Sequence, residues 1–364
     1  MRVPAALQTR ICALFGIDVP IVQTGMGWVA GPRLVTATAR AGGLGVLASA
    51  TMTEGELERA IAEVRSRTDR PFGVNLRGDA ADAEARVQLL VRERVKVASF
   101  AGPPSPRLLE ALRKGGVLSM VTVGARRHAE KMAALGVDCL IAQGAEGGGH
   151  TGPVPTTLLL PQVVDAVECP VLGAGGFFDG RGLVAALAFG ASGIAMGTRF
   201  LLTRESTVPD AIKARYLEAG VTSTLVTSAI DGAPQRVIQT PLIARLERRS
   251  RLGALLAGLR HAWTFRALTG TSFWALFREG LAMRRSQGLS LGTMAMAASA
   301  PMLTRAALVE GRSDAGILPA GQNVGVIDEL PSVAELIERI VAQAEQTLAH
   351  LAPGATPTVK ELAS

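Results

Sequence analysis

Eight short apolar runs, rich in β-branched residues, alternate with amphipathic stretches over the first two hundred residues of the chain. Most of these runs are continuously apolar, which is typical of parallel strands covered by helices. Several of the amphipathic stretches begin at Thr, Asp or Pro and end at Gly, as helices commonly do. Eight successive strand–helix units predict an α/β fold, a (β/α)8 TIM barrel, because a doubly wound sheet more often has about five or six strands. The predicted strands are Ile21–Gly25, Leu44–Ala48, Phe72–Leu76, Val95–Phe100, Leu118–Gly124, Cys139–Gly144, Val171–Gly175 and Gly193–Thr198.

The alternation of strands and helices stops after the eighth predicted strand. Residues from about 205 to 320 lack it, so we expect them to form a mainly helical insertion that folds over one end of the barrel. The amphipathic run Ser332–Leu351 then supplies the helix of the eighth unit. The predicted division is a cofactor-binding barrel of residues 1–205 and 320–352, a substrate or cap region of 206–319 and a tail of 353–364.

The positive charge of the chain is concentrated in the insertion. The whole chain has a formal net charge of +7, whereas the segment from Arg236 to Arg285 contains ten arginines against Glu247 and Glu279. The planar guanidinium of arginine suits phosphate and carboxylate groups. The same pattern is compatible with a solvated surface or with a contact between subunits, as in a homodimer. The arginines are Arg236, Arg245, Arg248, Arg249, Arg251, Arg260, Arg266, Arg278, Arg284 and Arg285.

Composition argues against several other classes of protein. Aromatic residues make up 4% of the chain, and those near the arginines have helical spacing, so we expect no nucleic-acid partner. Three cysteines without a CxxC pair and four scattered histidines predict no metal site. The uncharged stretch 286–304 contains glycines, a proline and hydroxyl residues and favours packed protein over a membrane span. The short apolar run Ile11–Ile17 is a poor signal sequence, so we expect a cytoplasmic protein.

Glycine pairs stand at the ends of the seventh and eighth predicted strands. The sequences are Gly173-Ala174-Gly175-Gly176 and Met196-Gly197-Thr198-Arg199. Phosphate is commonly held at this edge of a barrel, where glycines let an anion approach backbone N–H groups. The alternative is that these glycines only make tight turns. Two such ends on adjacent strands favour a phosphate site.

A single histidine follows the sixth predicted strand. His150 emerges from Gly147-Gly148-Gly149 on what we expect to be a pliant loop, with no apolar stripe to bury it. An imidazole suits proton transfer near neutral pH. The alternative is a histidine that caps a turn. We take His150 as the candidate catalytic residue, since His128, His261 and His350 lie in helical patterns.

The ends of the first and third predicted strands suit a flat ring. Gly25 and Gly27 would let a ring lie against backbone, and the amide of Asn75 can both donate and accept. With a phosphate site across the barrel, these residues describe a long, planar, phosphorylated ligand, and FMN fits that description. Pyridoxal phosphate is disfavoured because no lysine stands at a strand end to form a Schiff base.

Six motifs in this order resemble the nitronate monooxygenase-like (2-nitropropane dioxygenase) superfamily. The resemblance runs from about residue 10 to 205 and resumes at Ala320-Gly321-Gln322. It implies an FMN-dependent TIM barrel in which the glycine-flanked histidine works beside the flavin. The motifs are Thr24-Gly25-Met26-Gly27, Ala41-Gly42-Gly43-Leu44-Gly45, Phe72-Gly73-Val74-Asn75, Gly147-Gly148-Gly149-His150-Thr151-Gly152, Ala174-Gly175-Gly176 and Met196-Gly197-Thr198-Arg199.

The resemblance also implies which residues hold the cofactor. The FMN phosphate would lie on Gly175, Gly176, Gly197 and Thr198. The flavin ring would contact Met26, Gly27, Asn75 and Gln143. One departure is that the fifth strand ends without the lysine that some members place there for the flavin.

Within the superfamily, the chain is most similar to flavin-dependent enzymes that act on a CoA thioester in bacterial breakdown of the steroid C and D rings. The supporting stretches are Val22–Gly31, Gly175–Gly182 and Ser206–Asp210. This likeness implies α,β-dehydrogenation or reduction of an acyl-CoA, with His150 moving the α-proton and the flavin exchanging hydride. Oxygenation of alkyl nitronates, NADH-dependent reduction of an enoyl thioester or quinone, and a flavin carrier without activity are the alternatives.

Overall fold

The computed structural model describes residues 3–248, 291–312, 314 and 316–352, with the backbone alone for 291–299. Three arginines of the basic segment fall inside this range, namely Arg236, Arg245 and Arg248. The arginines from Arg249 to Arg285 lie outside the described residues, as do the aromatic residues between them.

Eight parallel strands close into a barrel, so the predicted fold class is confirmed. Each strand pairs with the next along the chain, and the last pairs with the first through Val22 and Ala195. The strands that read as continuously apolar are buried along nearly their whole length, because helices cover them from outside. The barrel strands are β1 (Ile21–Gln23), β2 (Leu44–Ala48), β3 (Phe72–Leu76), β4 (Val97–Phe100), β5 (Leu118–Val123), β6 (Cys139–Gln143), β8 (Val171–Ala174) and β9 (Gly193–Met196).

Helices alternate with these strands as predicted, and one helix packs into the core. Ile11, Cys12 and Phe15 of the first helix belong to the same buried cluster as Val22 and Val97 inside the barrel. The helices are α1 (Arg10–Phe15), α2 (Pro32–Arg40), α3 (Glu54–Arg67), α4 (Ala83–Arg92), α5 (Pro106–Lys114), α6 (Arg126–Ala134), α7 (Thr156–Val164), α8 (Gly180–Ala188), α9 (Thr198–Leu201), α10 (Asp210–Leu217), α11 (Pro241–Glu247), α12 (Leu291–Leu308) and α13 (Val333–Leu351).

The helix predicted near the C-terminus forms and completes the eighth unit. α13 begins after Ser332, whose side chain accepts a hydrogen bond from the backbone of Glu335 in a capping box. The helix packs against α8, where the side chain of Gln343 accepts a hydrogen bond of 2.8 Å from the backbone N–H of Gly180. A Cβ atom at Gly180 would lie 2.8 Å from the carbonyl carbon of Gln343, so this close approach of the two helices requires glycine.

The chain divides into two compact units. The first, which contains the barrel, comprises Met1–Gly147, Thr151–Thr207 and Val326–Ser364, and the second comprises Gly148–His150 and Val208–Gly325. The division drawn from the sequence stays a prediction, since residues 249–290 of the insertion lie outside the described residues.

A three-stranded sheet organises the described part of the second unit. Its strands are β10 (Thr224–Thr227), β11 (Gln235–Ile238) and β7 (Gly149–His150), and both pairings are antiparallel. Ile230, Val237 and Ile317 form a buried apolar cluster with residues of α11. The two residues Gly149 and His150 therefore lie in an edge strand, where the sequence analysis expected a pliant loop. Two residues are too few to produce a strand pattern, so the pairing with β11 alone defines them.

Candidate functional site

The residues predicted to contact a cofactor in the barrel unit lie at the carboxyl ends of its strands. Gln143 ends β6, Gly175 and Gly176 follow β8, Gly197 and Thr198 follow β9, and Met26 and Gly27 come shortly after β1. The strands β6, β8, β9 and β1 are consecutive neighbours in the closed barrel. Asn75 lies on β3, two strands beyond β1. The fold thus brings all eight residues to one end of the barrel.

The turn after β8 has a backbone conformation that glycine adopts readily. Gly175 has φ +96° and Gly176 has φ +83°. A Cβ atom at Gly176 would find no neighbour closer than the side chain of Glu146 at 3.7 Å, which is an ordinary van der Waals contact, so there is space beside this backbone. Consecutive residues of this kind present backbone N–H groups that suit an anion.

A hydrogen-bonded pair that sequence reasoning missed supports this turn. The hydroxyl of Thr156 donates to the Glu146 carboxylate at 2.8 Å, and its backbone N–H donates to the same carboxylate at 3.0 Å. The Thr156 hydroxyl also lies 3.0 Å from the carbonyl oxygen of Gly175. The carboxylate is thereby held at the start of α7. The one signal in the sequence was Pro155-Thr156, which is typical of a helix start.

The turn after β9 lies against the segment after β1. A Cβ atom at Gly197 would lie 3.3 Å from the Thr24 hydroxyl and 3.4 Å from the sulfur of Met26. Thr198 is buried at the start of α9. Gly197 is a predicted phosphate contact and Met26 is a predicted ring contact. A glycine at position 197 therefore leaves space where these two sets of residues meet.

Arg199 fixes the turn after β9 through backbone contacts on both sides. Its guanidinium donates to the carbonyl oxygens of Leu202 at 2.8 Å and Glu329 at 3.0 Å. Burial lowers the pKa of Arg199 to about 10, although the negative charges of Glu329 and Asp328 act in the opposite direction. Sequence reasoning assigned Arg199 no role, and the structure makes it an anchor between α9 and the segment that precedes α13.

The amides at the ends of β3 and β6 are held by close neighbours. The side chain of Asn75 lies directly against Gly25, and its Nδ2 donates to the carbonyl oxygen of Ser99 at 3.4 Å. The side chain of Gln143 lies against Gly147, where a Cβ atom would come within 2.8 Å of its Nε2. Both amides are therefore fixed in the region where the sequence predicted ring contacts.

A cavity of about 280 Å³ opens beside the segment after β1. Its lining includes Trp28, Ala48, Thr51, Met52 and Glu56. Trp28 has φ +66°, an uncommon conformation for a bulky residue and one that often marks functional sites. The buried guanidinium of Arg86 supports the wall by donating to the carbonyl oxygens of Ser49 and Met52 at 2.9 and 2.6 Å. Sequence reasoning missed this cavity.

His150 lies in the second unit, where it pairs with a carboxylate that sequence reasoning also missed. Its Nε2 lies 2.8 Å from Oδ2 of Asp231, which stands in the loop between β10 and β11. The His150 side chain is 63% exposed, and that of Asp231 is 19% exposed. Residues 81 positions apart carry no periodic signal, so only the folded chain reveals the pair.

The surroundings of Asp231 favour its ionised form. Burial alone would raise the pKa of this carboxyl. The hydrogen bond and charge of His150, with further donation from Ala233 and Gln235, outweigh burial and hold the pKa of Asp231 below its usual value. Asp231 is therefore an ionised acceptor at neutral pH. The dyad can hold and release a proton at the imidazole.

Comparison with known proteins places the chain among flavoenzymes. A family model described as nitronate monooxygenase matches residues 8–86 and 80–343. The (3aS,4S,5R,7aS)-5-hydroxy-7a-methyl-1-oxo-octahydro-1H-indene-4-carboxyl-CoA dehydrogenase of Mycobacterium tuberculosis is 56% identical over 341 residues, 93% of this chain and 96% of that protein. The dehydrogenase of the same name from Rhodococcus jostii is 54% identical over 340 residues, with coverage of 93% and 96%. The structure of FabK from Thermotoga maritima superposes with a TM-score of 0.79 at 32% identity, covering 94% of this chain and 98% of that one.

Proposed function

Since the chain belongs to the nitronate monooxygenase family and is a flavin-dependent oxidoreductase, we propose that it binds FMN and interconverts a saturated acyl-CoA thioester and its α,β-unsaturated form. The family predicted from the motifs is confirmed by the match over most of the chain. The observation that carries the proposal is the 56% identity, over 93% of the chain, to a dehydrogenase whose name specifies a bicyclic carboxyl-CoA. The proposed substrate is accordingly a steroid-derived acyl-CoA.

The residues at the barrel end fit FMN. The left-handed glycines Gly175 and Gly176 suit its phosphate, together with Gly197 and the buried Thr198. The fixed amides of Asn75 and Gln143, with Met26 and Gly27, suit the polar edge and the face of a flat ring. Bound FMN supplies a two-electron acceptor for hydride from the β-carbon, and a hydride donor in the reverse direction.

The protein supplies the proton transfer. A thioester acidifies the hydrogen on its α-carbon, so one positioned base suffices to remove it. In the proposal, the imidazole of His150 takes that proton as the α-C–H bond breaks, and it returns the proton in the reduction. The electron pair of the α-C–H bond forms the new double bond while hydride leaves the β-carbon, so atoms and electrons balance.

The arginine-rich segment would bind the other end of the substrate. CoA carries several phosphate charges, and guanidinium groups bind phosphate through paired N–H donors. Among the described arginines of this segment, Nη1 of Arg236 donates to the Thr224 hydroxyl at 3.0 Å and Nε of Arg245 donates to the carbonyl oxygen of Pro241 at 3.2 Å. A small-molecule CoA thioester is therefore the proposed partner.

The visible spectrum without oxygen tests the proposal. Purified protein with bound flavin is mixed with the bicyclic hydroxyacyl-CoA that appears in the names of the two related dehydrogenases. The expected result is bleaching of the flavin absorbance. The free acid without CoA is the matched control, and it should leave the spectrum unchanged. A spectrum unaltered by the thioester would argue against the proposal.

Nitronate oxygenation is the second candidate, favoured by the description of the family that matches. That reaction needs no CoA-binding surface. Oxygen uptake with propionate 3-nitronate, without bleaching by the thioester, would favour it. Rapid bleaching by NADH alone would instead favour a reductase of enoyl thioesters or quinones, whereas a flavin carrier would show none of these responses.

A further inference from the structure

We infer that Asp231 is the positioning residue of His150, and that it makes Nδ1 of the imidazole the atom that exchanges the substrate proton. The role of the proton rests on the proposed function, whereas the pairing of the two side chains does not. Asp231 acts through His150 and not on the substrate.

The first support is that the carboxylate of Asp231 is itself fixed. Oδ1 accepts a hydrogen bond of 3.1 Å from the backbone N–H of Ala233, and Oδ2 accepts from Nε2 of Gln235 as well as from His150. Three donors hold one carboxylate, so it cannot turn away from the imidazole without losing hydrogen bonds. A fixed acceptor can fix the orientation of a ring.

The second support is that the backbone holds both partners in register. His150 pairs with Gln235 and Gly149 pairs with Arg236 across the edge of the sheet. Ile230, the residue before Asp231, is fully buried in the apolar cluster of this unit. Gly148 packs so closely on the backbone of residues 320 and 321 that a Cβ atom would lie 2.6 Å from the amide nitrogen of Gly321. Both chain segments are thus anchored on each side of the hydrogen bond.

The third support is the tautomer that this geometry selects. Asp231 is ionised, so it offers only acceptors, and Nε2 of His150 must donate. In the neutral ring the proton-accepting lone pair then lies on Nδ1.

Nitrogen NMR tests the assignment without any substrate. Protein labelled with ¹⁵N-histidine is recorded at a pH at which the ring is neutral, and His150→Gln identifies its signals among the four histidines. We expect the Nε2–H tautomer in the unmodified protein. In Asp231→Asn the side-chain amide can donate to Nε2, so we expect a shift towards the Nδ1–H tautomer. Asp69→Asn, at an exposed carboxylate, is the matched control and should leave the signals unchanged.

Kinetics of the flavin-loaded enzyme supply the second measurement. We expect Asp231→Asn to lower kcat by at least about tenfold and to change the acidic limb of the pH–rate profile, because the reactive nitrogen would carry the proton. Asp231→Glu should recover part of the loss. In the His150→Gln background, Asp231→Asn should produce no further loss, since a residue that acts only through His150 has nothing left to position.

The outcomes separate the two proposals. An unchanged tautomer in Asp231→Asn, or an additive loss in the double variant, would overturn the positioning role. If the unmodified protein does not act on the thioester, the proposed function fails, and the tautomer measurement still decides whether Asp231 positions the ring. Far-UV circular dichroism and Tm of each variant establish that it is folded.

Discussion

Gly25 and Asn75 meet in a contact that leaves no room for another side chain. A Cβ atom at Gly25 would lie 3.0 Å from Cγ of Asn75 and closer still to its Cβ. The backbone carbonyl oxygen of Asn75 in turn accepts a hydrogen bond of 2.6 Å from the hydroxyl of Ser49, after β2. Ser49 thereby holds the backbone of Asn75, while Gly25 and the carbonyl oxygen of Ser99 lie against its side chain, so the orientation of this candidate flavin contact depends on the glycine at position 25.

We therefore expect Gly25→Ala to weaken flavin binding. The added methyl group must displace Asn75, and overpacking of this kind costs about 1–3 kcal/mol, which corresponds to a loss of affinity of about fivefold to 150-fold. Fluorescence titration of the apoprotein with FMN measures it. Gly102→Ala is the control, because no atom lies within 4 Å of the added Cβ and the residue is not left-handed. Equal affinities of the two variants would contradict the assignment of Asn75.

Gly176→Ala should separate the phosphate of FMN from its ring. Alanine in the left-handed conformation costs about 1–2 kcal/mol and disfavours the backbone orientation that presents N–H groups to an anion. We expect FMN affinity to fall by about tenfold while riboflavin affinity changes little. Gly311→Ala is the matched control, since that glycine has φ +74° and comparable space. Gly176→Ala and Gly311→Ala should lower the free energy of unfolding by similar amounts. If Gly176→Ala weakened FMN and riboflavin binding equally, this would argue against a phosphate at Gly176.

Replacement of His150 should remove turnover and spare the cofactor. We expect His150→Ala to retain its yellow colour and to lose at least about a hundredfold in kcat, because general acid–base catalysis contributes about that much. The absorbance spectrum and thioester-dependent flavin reduction measure the two effects. His128→Ala, at an exposed residue of α6, should behave like the unmodified protein. Full activity of His150→Ala would remove this residue from the chemistry.

The depressed pKa of Asp231 predicts how acid affects stability. A carboxyl whose pKa in the folded state lies below its unfolded value of 3.8 stabilises the fold above that value. This stabilisation is lost as the pH falls through the lower, folded pKa. We expect Asp231→Asn to be less stable than the unmodified protein near neutral pH, and the difference to shrink as the pH falls through the folded pKa of Asp231. Guanidinium unfolding at pH 7, 5 and 3 measures the difference, and Asp69→Asn should show none. A constant difference at every pH would mean that the charge of Asp231 is irrelevant.

The fold could be predicted because its signals are local. Each barrel strand lies in one apolar run, and several covering helices begin at a side-chain cap, as α3 shows with the capping box of Thr53 and Glu56 and α5 and α8 show with Ser105 and Asp179. Parallel pairing then places the strand ends at one edge, so the order of the strands along the chain sufficed to assign Gly175 and Gly197 to neighbouring turns. Their contacts with FMN stay predictions.

The residues that sequence analysis missed depend on contacts between distant segments. Glu146 holds Thr156 across a loop, and Trp28 borders a cavity shared with the segment after β2. Neither shows a periodic pattern, since side chains that meet through loops have no fixed spacing. The two-residue strand of Gly149 and His150 exists only because β11 pairs with it.

The sequence by itself determined the barrel, the family and the identity of the candidate base, because apolar periodicity and glycine-rich strand ends act within a few residues. Only the tertiary structure revealed the carboxylate that lies beside the imidazole of His150. Its partner Asp231 is 81 residues away, in a hairpin loop of the second unit. The ionised carboxylate that the folded backbone places beside Nε2 decides which nitrogen of His150 donates, and residue order along the chain does not encode that position locally.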